Sequence, residues 1–224
     1  MEELINKNNQ LIKEGVETLP HIQHSIDGVT KNYQYYLGSI KKRKKQDEER
    51  MQRMRGIKEM RQIEEWTERR ITNVIFDSDI DNWNINTSVF GQRIKGKEHL
   101  IIIIEDSRGN KFGGYVNSKI DKVGQWIYDS KSFVFSLESK GRMKRMMKFD
   151  IKEPGHAFWL DNQSNNYLFA FGWSGDILVC KENYKTISSC KQCSFEFEGI
   201  SNALCGKEYT EPFTPERIIV IEMK

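Results

Sequence analysis

The sequence predicts an α+β chain, mainly β: a helical N-terminal arm of about 70 residues followed by an antiparallel β-sandwich or barrel. Three observations carry this. Apolar residues recur at three- and four-residue steps through the first 40 positions. A mixed-charge run follows, to Arg70. Beyond Ile71 the grammar changes to short apolar or alternating runs bounded by turn residues.

The arm begins with the stripe Ile12, Val16, Leu19, Ile22, Ile26, Val29, Tyr33, Tyr36 and Ile40. That spacing lines one face of a helix. Pro20 interrupts it, which predicts either a kink or a second helix that begins with Pro20 in its first turn. Between Lys41 and Arg70 there are 12 basic and 7 acidic residues, a local charge of +5. Met51, Met54, Ile57, Met60, Ile63 and Trp66 thread a thin apolar stripe through them. This predicts a solvated helix that is one strand of a coiled coil or docks on the second half. The predicted organisation is an arm over 1–70 and a second domain over 71–224.

The expected strands are 74–76, 100–104, 112–116, 133–137, 167–171, 177–179, 195–197 and 218–221, with a short helix over 83–90 capped by Asn84 or Asn86. Long helices do not alternate with these strands, which argues against a doubly wound parallel sheet. The longest apolar run, Leu100 to Ile104, is strand length, so no segment has the run of about 18 apolar residues that a membrane helix needs. The opening Met-Glu-Glu-Leu-Ile-Asn-Lys does not read as a signal peptide. The four cysteines, Cys180, Cys190, Cys193 and Cys205, fit a reducing setting better than a secreted disulfide scaffold. The expected location is cytoplasmic, with nuclear and peripheral membrane locations as the other options. A net charge of +3 is too small to imply nucleic-acid binding without a local cluster.

Several residues invite a chemical reading. Asp77, Asp79 and Asp81 alternate, as cation ligands do. An EF-hand loop starting at Asp77 needs Gly sixth and Glu twelfth, where the chain has Asn82 and Ser88. Haloacid-dehalogenase phosphatases also follow a strand with Asp-x-Asp, but want Thr or Val where this chain has Asp81. The structural alternative is a tight turn in which the carboxylates accept backbone N–H bonds. Gly113-Gly114 lacks any nucleotide-loop pattern around it and suits close strand packing. Trp83, Trp126 and Trp173 are expected to anchor the core. Cys190 and Cys193 have metal-ligand spacing, and are weak candidates for zinc or for a reversible redox pair against a default of plain thiols. His21, His24, His99 and His156 stand in no nucleophile motif. Lys41, Lys42, Arg43, Lys44 and Lys45 form the sharpest surface feature, suited to a nuclear signal, an anionic membrane, a nucleic acid, or a plain solvated helix face.

From Ile71 to Lys224 the chain resembles a TLDc domain. Ile75-Phe76-Asp77-Ser78-Asp79-Ile80-Asp81-Asn82-Trp83 resembles the family's opening motif. Asp106-Ser107-Arg108-Gly109-Asn110-Lys111-Phe112-Gly113-Gly114-Tyr115 resembles its strand–turn–strand. Trp126, Asp129-Ser130 and Phe133 to Leu137 match the next block; Phe171-Gly172 with Gly175-Asp176-Ile177-Leu178-Val179 resembles its glycine turn and following strand. Ala203-Leu204-Cys205-Gly206, Phe213 and Ile218 to Glu222 are similar to its close. Two departures stand out. Asn82 replaces the usual Gly, as the other residue tolerant of positive φ, and Trp173-Ser174 intervene in the glycine turn. The resemblance implies a β-sandwich with a few short helices. It makes Asp77, Asp79, Asp81, Trp83, Gly113, Gly114, Gly172, Gly175 and Asp176 motif residues of structural use. It also implies a non-enzymatic role in oxidative-stress tolerance, with binding to the peripheral part of the vacuolar-type proton ATPase. No cofactor is expected, and the arm, which matches nothing in the domain, is expected from its own apolar stripe to add contacts or self-associate. The alternatives are a nucleic-acid or chromatin regulator acting through 41–45, and an enzyme using Asp77 or Cys190.

Overall fold

A computed structural model of the chain describes all residues except 183–187 and 208–210, and describes the backbone alone at 21, 22 and 46–53. His21, and Ile22 and Met51 of the expected stripes, therefore have side chains outside the described set. One helix, α1 (Glu2–Thr67), runs for 66 residues. Pro20 lies inside it and does not end it. Having no N–H, Pro20 leaves the Val16 carbonyl without its helical donor.

The chain divides into two compact units, Met1–Lys58 and Glu59–Lys224. In the first unit the apolar stripe is exposed: Ile12, Val16, Leu19, Ile26, Val29 and Tyr33 are each more than half accessible.

The second unit is an antiparallel β-sandwich. Its strands are β1 (Ile71–Asp77), β2 (Leu100–Asp106), β3 (Lys111–Val116), β4 (Trp126–Ile127), β5 (Phe133–Glu138), β6 (Met147–Asp150), β7 (Phe158–Leu160), β8 (Tyr167–Phe171), β9 (Ile177–Cys180) and β10 (Pro215–Met223). One sheet has the order β1-β10-β2-β3-β5-β6, the other β4-β7-β8-β9. Every neighbouring pair is antiparallel. A short helix α2 (Phe90–Ile94) and a 3-10 turn (Pro154–His156) complete the regular elements.

The period of two in each strand sorts side chains between two cores. Leu100, Ile102 and Ile104 of β2, Ile218 and Val220 of β10 and Val134 of β5 point toward the small sheet. There they meet Phe158, Leu160, Phe169, Phe171, Ile177 and Val179. The intervening residues Ile101, Ile103, Tyr115, Phe133, Phe135 and Leu137 form a second cluster on the opposite face. That face is covered by the end of α1. Ile63 is fully buried in this cluster, and Met60 and Trp66 pack against it. Trp66 lies 6.2 Å from the Phe133 ring and 6.0 Å from the Phe135 ring. Buried Glu59 adds an ion pair to Lys111 Nζ at 3.1 Å. β2 reads Leu-Ile-Ile-Ile-Ile without alternation because both its faces are buried.

Gly113 and Gly114 serve the sandwich directly. A Cβ on Gly114 would lie 2.4 Å from the Phe171 ring, so the missing side chain lets that ring reach across the core. A Cβ on Gly113 would lie 1.9 Å from the Ile102 carbonyl oxygen.

The element boundaries depart from the sequence reading in identifiable ways. The segment 195–197 makes one isolated bridge, Ile151 with Phe195, and no strand. Its Phe-Glu-Phe alternation arises because Phe195 and Phe197 both turn inward from irregular chain, Phe197 against Phe149 at 4.9 Å. The helix expected over 83–90 is instead a turn, and α2 starts only at Phe90. Asn82 redirects the backbone: its Oδ1 accepts from Asn84 N–H at 2.9 Å and from Thr87 Oγ1 at 3.0 Å. Asn82 does not take up positive φ. Strands β4, β6 and β7 were not expected from the sequence; at two to four residues each they are too short to show a period.

Candidate functional site

The acidic motif after β1 closes a turn. Asp77 accepts both Arg217 Nε at 3.0 Å and Arg217 Nη2 at 2.6 Å, a bidentate pair that ties the end of β1 to β10. Asp79 N–H donates to Asp77, and Asp77 N–H donates to Asp81 Oδ2 at 3.0 Å. Asp81 Oδ1 takes Arg93 at 3.0 Å, and Asp79 lies 3.1 Å from Arg217 Nε. The Arg217 hydrogen bonds hold the Asp77 carboxyl below its usual range against some burial. The two arginine partners lie 12 and 140 residues away from the aspartates they hold. Local sequence therefore gives no sign of them. Trp83, next along, is buried in the core.

A different surface is built by the small sheet. Its register aligns Trp126 with Trp159, Trp159 with Ala170, and Ala170 with Leu178 in one row across β4, β7, β8 and β9. These four alternate with the core residues Ile127, Phe158, Leu160, Phe169, Phe171, Ile177 and Val179, so the row faces outward. Ala170 is small between large neighbours, which leaves a notch. The resulting groove has a volume of about 520 Å³ and is also lined by Asp161, Tyr167 and Trp173.

The groove is pre-formed. The Trp126 and Trp159 rings meet edge to face at 5.3 Å, and Trp126 lies 6.1 Å from Trp173. His156 packs between Trp126 at 5.3 Å and Trp173 at 4.4 Å. Trp173 is 60% exposed, yet its position is fixed. It sits in a turn whose glycines, Gly172 and Gly175, both have φ of +75°. Gly175 N–H donates to the Gly172 carbonyl at 2.9 Å. A Cβ on Gly172 would fall 1.9 Å from the Asp176 carboxylate. Asp176 is fully buried and accepts the N–H groups of Cys193 at 2.7 Å and Ser194 at 3.0 Å. Burial raises its pKa, opposed by those backbone donors. Ser194 Oγ in turn accepts Trp173 N–H at 2.9 Å. The glycine turn, Asp176 and Ser194 thus form one chain of contacts that presents Trp173.

These are the motif positions that resemble a known domain, and the comparison with family models decides the matter: the TLDc domain model matches residues 46–217. The chain belongs to the TLDc domain family. No curated protein matches the chain significantly. The TLDc match begins inside α1, so it takes in Glu59–Thr67, the part of the helix that packs on the sheet.

The remaining candidates of this TLDc chain fall elsewhere. Trp126 and Trp173, expected as core anchors, lie on the groove, because β4 and the glycine turn direct them away from the inter-sheet core. Cys190 is buried and lies beside Cys205, while Cys193 is exposed. Cys180 is buried near Ser188, and burial pushes its thiol up to about 11. Among the described residues, no three His, Cys, Asp or Glu side chains are grouped so as to hold a metal. Lys41 to Lys45 are all exposed on α1, in the first unit. Successive helical residues turn by about 100°, so the five charges surround the helix and do not form one face. No helix among the described residues is long and apolar enough to cross a membrane.

Proposed function

We propose that this TLDc protein is a non-enzymatic adaptor that docks a partner protein in the Trp126–Trp159–Trp173 groove. The carrying observation is the groove itself: a contiguous aromatic surface, with Trp173 exposed and Trp126 and Trp159 half-buried, with a notch over Ala170 and held in place from beneath. Pre-organised tryptophans lose little freedom on binding and dominate interface energies. The motif carboxylates Asp77, Asp81 and Asp176 are engaged by arginines and backbone N–H groups, which fits a binding role better than acid–base chemistry. The partner proposed from the family resemblance is a subunit of the peripheral part of the vacuolar-type proton ATPase. Its aliphatic or aromatic anchor would seat over Ala170. Tolerance of oxidative stress in the cytoplasm is the physiological setting that follows.

The test is co-purification from native lysate with wild-type protein, Trp173→Ala and Ala170→Arg. Interface tryptophans of this kind cost at least about 2 kcal/mol when truncated, roughly 30-fold in affinity. The proposal expects ATPase subunits with the wild type and at least a tenfold loss with either variant, at unchanged melting temperature. Wild-type recovery without ATPase subunits removes the ATPase. Equal recovery by all three proteins removes the groove.

The exposed run Lys41 to Lys45 supports a second reading, contact with nucleic acid or an anionic membrane. Neutralising all five should then abolish binding to duplex DNA or to phosphatidylserine vesicles. The exposed stripe of the first unit suits a second copy of the arm, which light scattering would report as a dimer.

A further inference from the structure

Cys190 and Cys205 come from two irregular segments that pack together beside the β2–β3 turn. Gln192 links them: its Oε1 accepts Ala203 N–H at 2.7 Å, and its Nε2 donates to the Ile200 carbonyl at 2.5 Å. Asn110 Nδ2 donates to the Cys205 carbonyl at 3.1 Å, and Arg142 Nη2 to the Leu204 carbonyl at 2.9 Å. The two cysteines are neighbours at this junction. Both also line a cleft of about 350 Å³, together with Lys191, Asn202 and Lys207. The cleft gives a small uncharged oxidant a route to these otherwise buried residues.

We propose that Cys190 and Cys205 are a peroxide-responsive dithiol that closes to an intramolecular disulfide. The environment assigns the roles. The adjacent Cys190 thiol holds the Cys205 thiol below its ordinary pKa against burial, helped by the Lys207 N–H and the Lys207 charge. Burial and the neighbouring Cys205 push Cys190 well above. Cys205 is then the thiolate that attacks. Its sulfur takes one oxygen from hydrogen peroxide; the O–O bond breaks, and hydroxide leaves and is protonated to water. Cys190 next attacks the sulfenic sulfur. The S–S bond forms, the S–OH bond breaks, and a second water leaves with the Cys190 proton. Two thiols and one peroxide give one disulfide and two waters, with two electrons passing from sulfur to peroxide.

The site adjoins the groove. Lys191 N–H donates to the Gly175 carbonyl at 3.0 Å, and Cys193 and Ser194 N–H hold Asp176. The segment anchored by the disulfide is thus the one that braces the turn carrying Trp173.

The experiment treats the full-length protein with excess hydrogen peroxide, blocks free thiols with N-ethylmaleimide under denaturing conditions, and maps peptides without reduction. Trypsin and Glu-C together separate the three cysteines, cutting after Lys191 and Glu196. The expected product is a cross-linked pair of peptides containing Cys190 and Cys205, formed equally in Cys193→Ser. In Cys190→Ser, dimedone should trap a sulfenic acid at Cys205. Oxidation confined to Cys193, a disulfide that includes Cys193, or Cys190 and Cys205 both recovered as maleimide adducts would overturn the proposal. The wild-type map alone is decisive if a serine variant fails to fold.

Discussion

The end of α1 should be an obligatory layer of the sandwich, and Ile63→Ala tests this at one residue. Ile63 has no accessible surface and lies in the cluster with Ile101, Ile103 and Phe135. The substitution removes three buried carbons, about 2.4 kcal/mol of transfer free energy at ~0.8 kcal/mol each. A remaining cavity of about 50 Å³ adds ~1 kcal/mol. The expected loss is about 3–4 kcal/mol, a large part of the 5–15 kcal/mol that typically holds a domain. Urea denaturation of the full chain followed by tryptophan fluorescence measures it. Ile57→Ala is the control, since Ile57 is 49% exposed and should change stability by less than about 0.5 kcal/mol. A chain trimmed to 59–224 should fold as the full protein does. One trimmed to 71–224 uncovers Ile103, Phe133 and Phe135 and should aggregate or bind a hydrophobic dye. An Ile63→Ala loss below about 1 kcal/mol, or a stable monomeric 71–224, would refute the reasoning.

Two further predictions concern the motif residues. Gly113→Ala should destabilise more than Gly114→Ala, because Gly113 faces a backbone carbonyl that cannot give way and Gly114 a ring that can shift. Overpacking of the second kind costs about 1–3 kcal/mol, and thermal melts of the two variants give the order. Asp77 is depressed below its usual pKa by Arg217, so its contribution is present above the unfolded value and is lost as pH falls through the lower folded value. Asp77→Asn should cost about 1–3 kcal/mol at neutral pH and flatten the loss of stability below about pH 4. Urea midpoints from pH 2 to 7 measure both, and an unchanged acid slope would count against the pair.

What the sequence made legible follows from range. β2, β3, β5 and β8 are runs of five or more residues whose burial is written in their own composition. The arm is readable for the same reason, since a helical stripe repeats locally. β7 is Phe-Trp-Leu, three residues without a period, and it shows as a strand only when β8 pairs with it. The turn after Asn82 turns on one side-chain oxygen outcompeting helix formation. The groove was not readable at all. Trp126, Trp159, Ala170 and Leu178 each lie on a different strand, and each alone reads as core. Only the strand register sets them side by side on an outward face. Cys190 likewise has Cys193 as its neighbour in sequence and Cys205 as its neighbour in space.

The most direct measurement of the adaptor role is site-specific photo-crosslinking in native lysate. A benzophenone amino acid replaces Trp173 in one protein and Val74 on β1, also exposed, in another. The account predicts a covalent adduct with a peripheral subunit of the proton ATPase from position 173 and none from position 74. Adducts from position 74 alone, or none from position 173, would contradict it.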